Sequence, residues 1–125
     1  MFRTAHSLLV AVLLAASAAA TAQPIPASRS ADGTLTNPVG MTLYVFDRDS
    51  DGKSACNGPC TTNWPPLLVV GDGRPSGDWT VVVREDGGKQ WAFKGKPLYT
   101  WSKDTRAGDK TGDGVNNIWH VAKGG

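Results

Sequence analysis

The sequence has few of the residues that commonly carry out catalysis. It contains two cysteines and two histidines, and Glu85 is its single glutamate. No serine lies in a Gly-x-Ser-x-Gly motif, and no Cys-x-x-Cys-His haem-attachment motif occurs. The sequence also gives no reason to place two aspartates across a cleft, as glycoside hydrolysis would need. We therefore predict no catalytic residues and a protein that is not an enzyme.

The chain also lacks a strong excess of charge of either sign. Its 13 basic and 11 acidic residues are interspersed, and no run of basic residues occurs. A nucleic-acid-binding domain usually shows a basic patch or stripe. We therefore expect no nucleic-acid partner.

One long apolar run is present, and it lies near the start of the chain. Arg3 precedes the alanine-rich run 8–20, and Ala20-Thr21-Ala22 supplies small residues for cleavage. This pattern is typical of a secretory signal peptide over residues 1–22, and the run is too short for a convincing membrane span. We predict export to the periplasm or the exterior, cleavage near Ala22, and no stable membrane anchor afterwards.

Strong helix formers are scarce after the predicted signal peptide, whereas all 15 glycines and all eight prolines lie there. Residues 23–32 are Pro, Ala and Ser without periodicity, which indicates a flexible leader. Alternating apolar residues over 41–46 predict a strand, and those over 79–93 predict a hairpin that turns at Asp86-Gly87-Gly88. We predict an all-β, compact antiparallel domain over residues 33–125 with little helix.

One short pattern occurs twice: a tyrosine, an aromatic residue two positions later and an aspartate three positions after that. The copies are Tyr44, Phe46, Asp49 and Tyr99, Trp101, Asp104. At the same offset, further residues of the first copy are matched in the second, namely Gly40 by Gly95, Leu43 by Leu98, and Trp64 by Trp119. We interpret residues 40–64 and 95–119 as tandem repeats that share one apolar core.

The doubled motif resembles the bacterial family of predicted lipoproteins with a Yx(FWY)xxD motif, also described as a secreted repeat of unknown function. The similarity includes Gly52–Cys60 with the following Trp64-Pro65-Pro66-Leu67, and 108–114 with Trp119-His120-Val121. The resemblance implies an exported β domain but no reaction, because the family has no established activity. It does not imply lipid anchoring here, because no cysteine stands directly after the apolar run, where the lipid would be attached.

Cys56 and Cys60 form the first candidate site. An exported chain meets an oxidising environment, and the three intervening residues permit the turn that a disulfide needs. The alternative is a thiol pair that transfers electrons or binds a soft metal. In that case His120 and Met41 are further candidate ligands for copper or haem.

Asp47, Asp49 and Asp51 form the second candidate site. With Gly52 they match the opening of a calcium-binding loop, but Gly58 stands where such a loop has its bidentate glutamate. The alternative is a solvated acidic turn. The sequence thus indicates no required cofactor and calcium as the one optional ion.

Trp64, Trp119 and His120 form the third candidate site, a platform on which a ligand could stack, although the spacing of the tryptophans also fits a core. We expect an exported, non-catalytic binding or interaction domain whose partner is a small molecule, a metal or an envelope protein. One alternative is a periplasmic redox or metal-handling protein that uses Cys56, Cys60 and His120. The other is a calcium-stabilised structural module.

Overall fold

The computed structural model describes residues 27–124. The predicted signal peptide and residues 23–26 lie outside this range. Within it, the elements in chain order are β1 (Ser28–Arg29), β2 (Leu35–Thr36), β3 (Tyr44–Phe46), α1 (Cys60–Asn63), β4 (Trp79–Val83), β5 (Lys89–Phe93), β6 (Lys96–Pro97), a 3-10 turn (Val115–Asn117) and β7 (Trp119–Val121). None of the helices in the described range has the length and apolar character that a bilayer span requires.

The strands form three small antiparallel sheets. β1 pairs with β2, β3 pairs with β7, and β4, β5 and β6 form a three-stranded sheet in that order. The one α-helix is a single turn. The predicted all-β antiparallel fold with little helix is confirmed.

β3 separates two apolar clusters, because successive side chains of a strand point to opposite faces. Leu43 and Val45 pack into a cluster of aliphatic residues and Phe93. Tyr44 and Phe46 pack into a second cluster that contains most of the aromatic side chains. The alternation of residues 41–46 thus places one apolar layer on each side of the strand.

The two repeats meet at Tyr44 and Tyr99. The Tyr44 N–H donates to the Tyr99 carbonyl at 2.8 Å, and the Tyr99 N–H donates to the Tyr44 carbonyl at 3.0 Å. Such an exchange of identical contacts is what a twofold axis produces. The two tandem repeats of the prediction are therefore confirmed, and they are packed against each other.

Other backbone contacts follow the same twofold relation. The Ala122 N–H donates to Leu43 at 2.8 Å in one half, and the Leu67 N–H donates to Leu98 at 2.8 Å in the other. The turn glycines Gly40 and Gly95 both have positive φ angles, 88° and 80°. These residues therefore occupy corresponding backbone environments in the two repeats, whereas α1 of the first repeat corresponds to the 3-10 turn of the second.

The start of the domain differs from the predicted flexible leader. Ser28 and Arg29 form β1, whose pairing with β2 closes through a turn at Gly33, and Ala27 is buried. The side chains of β1 are exposed, and the strand is held by its backbone hydrogen bonds and by the Arg29 guanidinium, which donates to the Gly124 carbonyl. A strand of this kind has no apolar alternation by which the sequence could reveal it.

The segment 94–97 contains a two-residue turn followed by a short strand. Lys94 and Gly95 form the turn, and Lys96–Pro97 is β6. Proline has no N–H to donate and is tolerated on an edge strand, which is the position of β6 in its sheet. Pro97 therefore lies in the strand and not in the turn.

Candidate functional site

Four aromatic rings stack through the centre of the domain and alternate between the repeats. Phe46 stacks on Trp119 with ring centroids 4.1 Å apart, and Trp119 stacks on Trp64 at 3.8 Å. Trp101 then stacks on Trp64 at 4.0 Å. We call these residues the ring stack. Trp64 and Trp119 are only 5% and 3% exposed, so neither has a face free for the predicted ligand platform.

The tyrosine and aspartate of the repeated motif are partners across the two repeats. The Tyr44 hydroxyl donates to Asp104 Oδ2 at 2.6 Å, and the Tyr99 hydroxyl donates to Asp49 Oδ2 at 2.8 Å. Burial raises the pKa of Tyr99 to about 12 and also raises the pKa of Tyr44. The motif therefore joins the halves of the domain through neutral, hydrogen-bonded phenols.

Asp49 and Arg84 lie at the ends of a continuous chain of hydrogen bonds. Arg84 Nη1 donates to Ser54 Oγ at 3.0 Å, and Ser54 Oγ lies 2.5 Å from the Tyr99 hydroxyl. Because the Tyr99 proton goes to Asp49, the Ser54 hydroxyl donates to Tyr99. Burial raises the pKa of the Asp49 carboxyl, although the N–H of Ala55 and the Tyr99 hydroxyl oppose that shift.

Arg84 is the buried cation that the sequence analysis missed. Its other bonds go to Gln90 Oε1 at 2.7 Å, the Cys56 carbonyl at 2.6 Å and Asn57 Oδ1 at 3.2 Å. A buried charge needs such partners, because desolvation is costly without them. The sequence does contain a signal for this burial. Alternate side chains of a strand share a face, so Arg84 lies on the same face as the buried Val82.

Cys56 and Cys60 form the predicted disulfide. Cys56 is 1% exposed and packs within the aromatic cluster, next to Trp64. His120 lies on β7, and its Nε2 is 2.7 Å from Asp47 Oδ2. The partner that the structure gives to His120 is thus a carboxylate and not the cysteine pair.

The three aspartates of the calcium hypothesis have different neighbours. Asp47 pairs with His120, Asp49 is held by Tyr99 and Ala55, and the Asp51 carboxylate lies against Gly95. Within residues 27–124, no three His, Cys, Asp or Glu side chains are grouped so that they could hold a metal ion. The structure does not bring these carboxylates together, and calcium binding stays a prediction.

A cavity of about 330 Å³ opens beside β3, β6 and β7. We call it the lysine groove. It is lined by Val45, Asp47, Phe93, Lys94, Lys96, Leu98, His120, Val121, Ala122 and Lys123. Its walls come from both repeats, because β3 belongs to the first and β6 and β7 belong to the second.

The charges of the lysine groove are not balanced. Among the described residues, no carboxylate lies within ion-pair distance of Lys94, Lys96 or Lys123, and Asp47 is already paired with His120. Lys94 also has an unusual backbone, with a φ of 51° in a two-residue turn. Asn, Asp or Gly is favoured in such a turn, and the left-handed region costs other residues about 1–2 kcal/mol.

The twofold relation shows what stands at the equivalent positions of the other half. We call that surface the opposite face. Lys94 corresponds to Val39, Lys96 to Met41, Asp47 to Ser102, His120 to Pro65, and Lys123 to Leu68. Every charged residue or histidine of the groove is replaced there by an uncharged residue. The two halves have therefore diverged at the groove while they retain the same interior.

The fold is thus a tandem-repeat, antiparallel β domain with a shared aromatic core. A family model, Lipoprotein_15, described as a secreted repeat of unknown function, matches residues 27–68 and 80–123. The chain belongs to this family. Its description as secreted indicates an exported protein. Neither the curated proteins nor the solved structures that were searched contain a match to the chain.

Proposed function

We propose that the protein is an exported, non-catalytic binding domain that takes a small molecule into the lysine groove. Export follows the predicted signal peptide 1–22 with cleavage near Ala22. The main support for this proposal is that the lysine groove has charged residues, whereas the equivalent positions of the opposite face have none. The shared fold explains the residues that both halves retain, but it gives no reason for Lys96 and Lys123 to differ from Met41 and Leu68.

The dimensions of the groove support this proposal. A volume of about 330 Å³ lies within the range of small-molecule sites, which are mostly apolar with a few polar groups that fix orientation. Phe93, Leu98 and Ala122 are buried and supply an apolar floor. The lysines, His120 and Asp47 lie around that floor as the polar groups.

The test uses the full chain exported by its own host and examined by native mass spectrometry. The protein should carry a bound small molecule that is released on denaturation. The double variant Lys96→Met, Lys123→Leu gives the groove the residues of the opposite face and should emerge without that added mass. The double variant Lys53→Gln, Lys103→Gln removes two exposed lysines elsewhere and should retain it. A native chain that carries no added mass would contradict the proposal.

A further inference from the structure

The lysine groove presents positive charge that the protein itself does not neutralise. Lys94 and Lys96 are exposed and have no carboxylate partner in the described range, whereas Lys110, another exposed lysine, pairs with Asp32. Within residues 27–124, the one hydrogen bond that the Lys123 ammonium group donates goes to the Thr34 hydroxyl, at 3.3 Å. An anion placed among these ammonium groups would form charge-assisted hydrogen bonds, which are stronger than neutral ones.

The floor of the groove is apolar, so the anion should carry an apolar body. Val45 and Val121 are half-buried at the walls and supply most of the apolar surface that a ligand can contact, because Phe93 and Leu98 are only 7% and 0% exposed. An inorganic ion would leave this surface in contact with water, whereas an apolar group would cover it. A cavity of about 330 Å³ also exceeds what a small inorganic ion fills.

Acidic residues near the groove do not cancel its charge. Asp47 faces the groove but contacts His120, and Asp49 is held by Tyr99 and Ala55. Asp51 lines a neighbouring cavity of about 300 Å³ beyond Lys94 and Lys96. Asp47 is therefore the one carboxylate among the described residues that line the groove, against three lysines, and Asp49 and Asp51 line the neighbouring cavity instead.

The backbone of Lys94 gives a second, independent observation. Its φ of 51° falls in a turn where Asn before Gly is the favoured sequence. A strained residue that stability alone would not select is a reason to look for function. Here the strained residue places its ammonium group at the groove, 5.5 Å from the centre of the Phe93 ring.

We propose that the lysine groove binds small amphipathic organic anions, with the anionic group among Lys94, Lys96 and Lys123 and the apolar body on the floor. The inference rests on the proposed function and gives that site its ligand class. Anilinonaphthalene sulfonate is a suitable probe because it combines a sulfonate with aromatic rings. Phenylnaphthylamine, which has the same rings without the sulfonate, is its neutral control.

The experiment measures binding of both probes to the full chain by calorimetry and fluorescence. One sulfonate probe should bind per chain, and added salt should weaken it. Lys96→Gln and Lys123→Gln should each weaken binding about tenfold, because each removes a charge-assisted contact. The control variants Lys53→Gln and Lys103→Gln should bind like the native chain. Circular dichroism should show that all variants are folded.

Lys94→Asn separates a binding role from a structural one. Asparagine suits the left-handed turn, so the melting temperature should rise, while affinity for the sulfonate probe should fall. If Lys94 had only a structural role, affinity would not change. Unchanged affinity in Lys94→Asn, Lys96→Gln and Lys123→Gln would overturn the proposal.

The neutral probe distinguishes this inference from the function on which it rests. Phenylnaphthylamine could bind as tightly as the sulfonate probe, with an affinity that changes in the double variant Lys96→Met, Lys123→Leu. In that case the groove binds small molecules without a preference for anions. The inference then fails and the proposed function stands. If neither probe binds the groove, the inference fails, and the proposed function is overturned with it only if the native chain also carries no added mass.

Discussion

The two repeats of this domain are alike in the interior and differ on the surface. In the interior, Trp64 and Trp119 stack in parallel at 3.8 Å, and the hydroxyls of Tyr44 and Tyr99 each donate to the motif aspartate of the other repeat. Outside, the lysine groove carries three lysines and a histidine, whereas the opposite face presents Val39 and Leu68, which are 75% and 53% exposed.

The difference separates residues that the fold requires from residues that it leaves free. A buried tyrosine needs its aspartate, and each central tryptophan needs the other as a stacking partner. A surface position has no such requirement, and substitution there usually changes stability little. The fold therefore does not account for charge that is present on one face only, and the proposed binding role rests on this difference.

The largest expected effect tests whether the two interiors are equivalent. Trp64→Ala and Trp119→Ala should each lower the free energy of unfolding by about 3–5 kcal/mol, because each removes the ring against which the other stacks. Urea unfolding followed by circular dichroism measures this loss. Val83→Ala, at a side chain that is 69% exposed, should change it little. A much smaller loss in one tryptophan variant than in the other would break the equivalence.

Alkaline pH should act on both halves through the motif tyrosines. Burial raises the pKa of Tyr99 from 10.0 to about 12 and raises that of Tyr44, so the folded state holds both phenolic protons more tightly than the unfolded chain. The contribution of these protons to the free energy of unfolding is then fully present below pH 10.0. It is lost as pH rises through 12, by up to about 1.4 kcal/mol per pH unit for each tyrosine.

The urea midpoint between pH 9 and 12 measures this fall, and Tyr99→Phe and Tyr44→Phe should each make it less steep, as follows from the loss of one titrating group. These are the only tyrosines of the chain, so tyrosinate absorbance reports on them alone. Ionisation near the ordinary value while the protein remains folded would show that they are not buried as described.

Removal of the disulfide should have an intermediate effect, confined to the first repeat. The positions that correspond to Cys56 and Cys60 in the second repeat are Thr111 and Val115. The variant Cys56→Thr, Cys60→Val introduces those residues. Its free energy of unfolding should fall by only about 2 kcal/mol, because the loop that the disulfide closes is short. Urea unfolding of this variant, and of the native chain with reductant, should agree. A loss of folding would show that the first half depends on the bond.

The smallest effect on stability is expected where the halves differ most. Lys96→Met gives the groove the residue found at the equivalent position of the opposite face. Because Lys96 is exposed, the free energy of unfolding should change by no more than about 0.5 kcal/mol. Thermal unfolding provides the measurement. A large loss would mean that the fold requires this lysine, and the contrast between the faces would lose its functional meaning.

Much of the fold could be predicted because it depends on local pattern. Alternation over 41–46 placed Leu43 and Tyr44 on opposite sides of β3, and the residues around Gly87 marked the β4–β5 hairpin. The recurrence of Gly, Leu, Tyr, Asp and Trp identified the repeat. β1 left no such signal, because both of its side chains are exposed and it has no apolar alternation.

The candidate sites were harder to predict, because contacts between distant segments define them. The sequence placed each motif tyrosine and aspartate in one unit, but the hydrogen bonds cross to the other unit. Arg84 reads as a surface residue until its bonds to Ser54 and Gln90 are known. Lys94, Lys96 and Lys123 carry no recognisable pattern in the sequence and come to line one cavity only when β6 and β7 lie beside β3.

The crossed bonds between Tyr44 and Asp104, and between Tyr99 and Asp49, have a further consequence for assembly. An isolated unit would bury a phenol and a carboxylate that lack their partners, and a second identical unit would supply both. The chain therefore has the contact pattern of a homodimer whose two subunits are joined covalently by the linker 69–78, which precedes β4. Two fragments separated by cleavage in this linker should reassemble, whereas neither should fold alone.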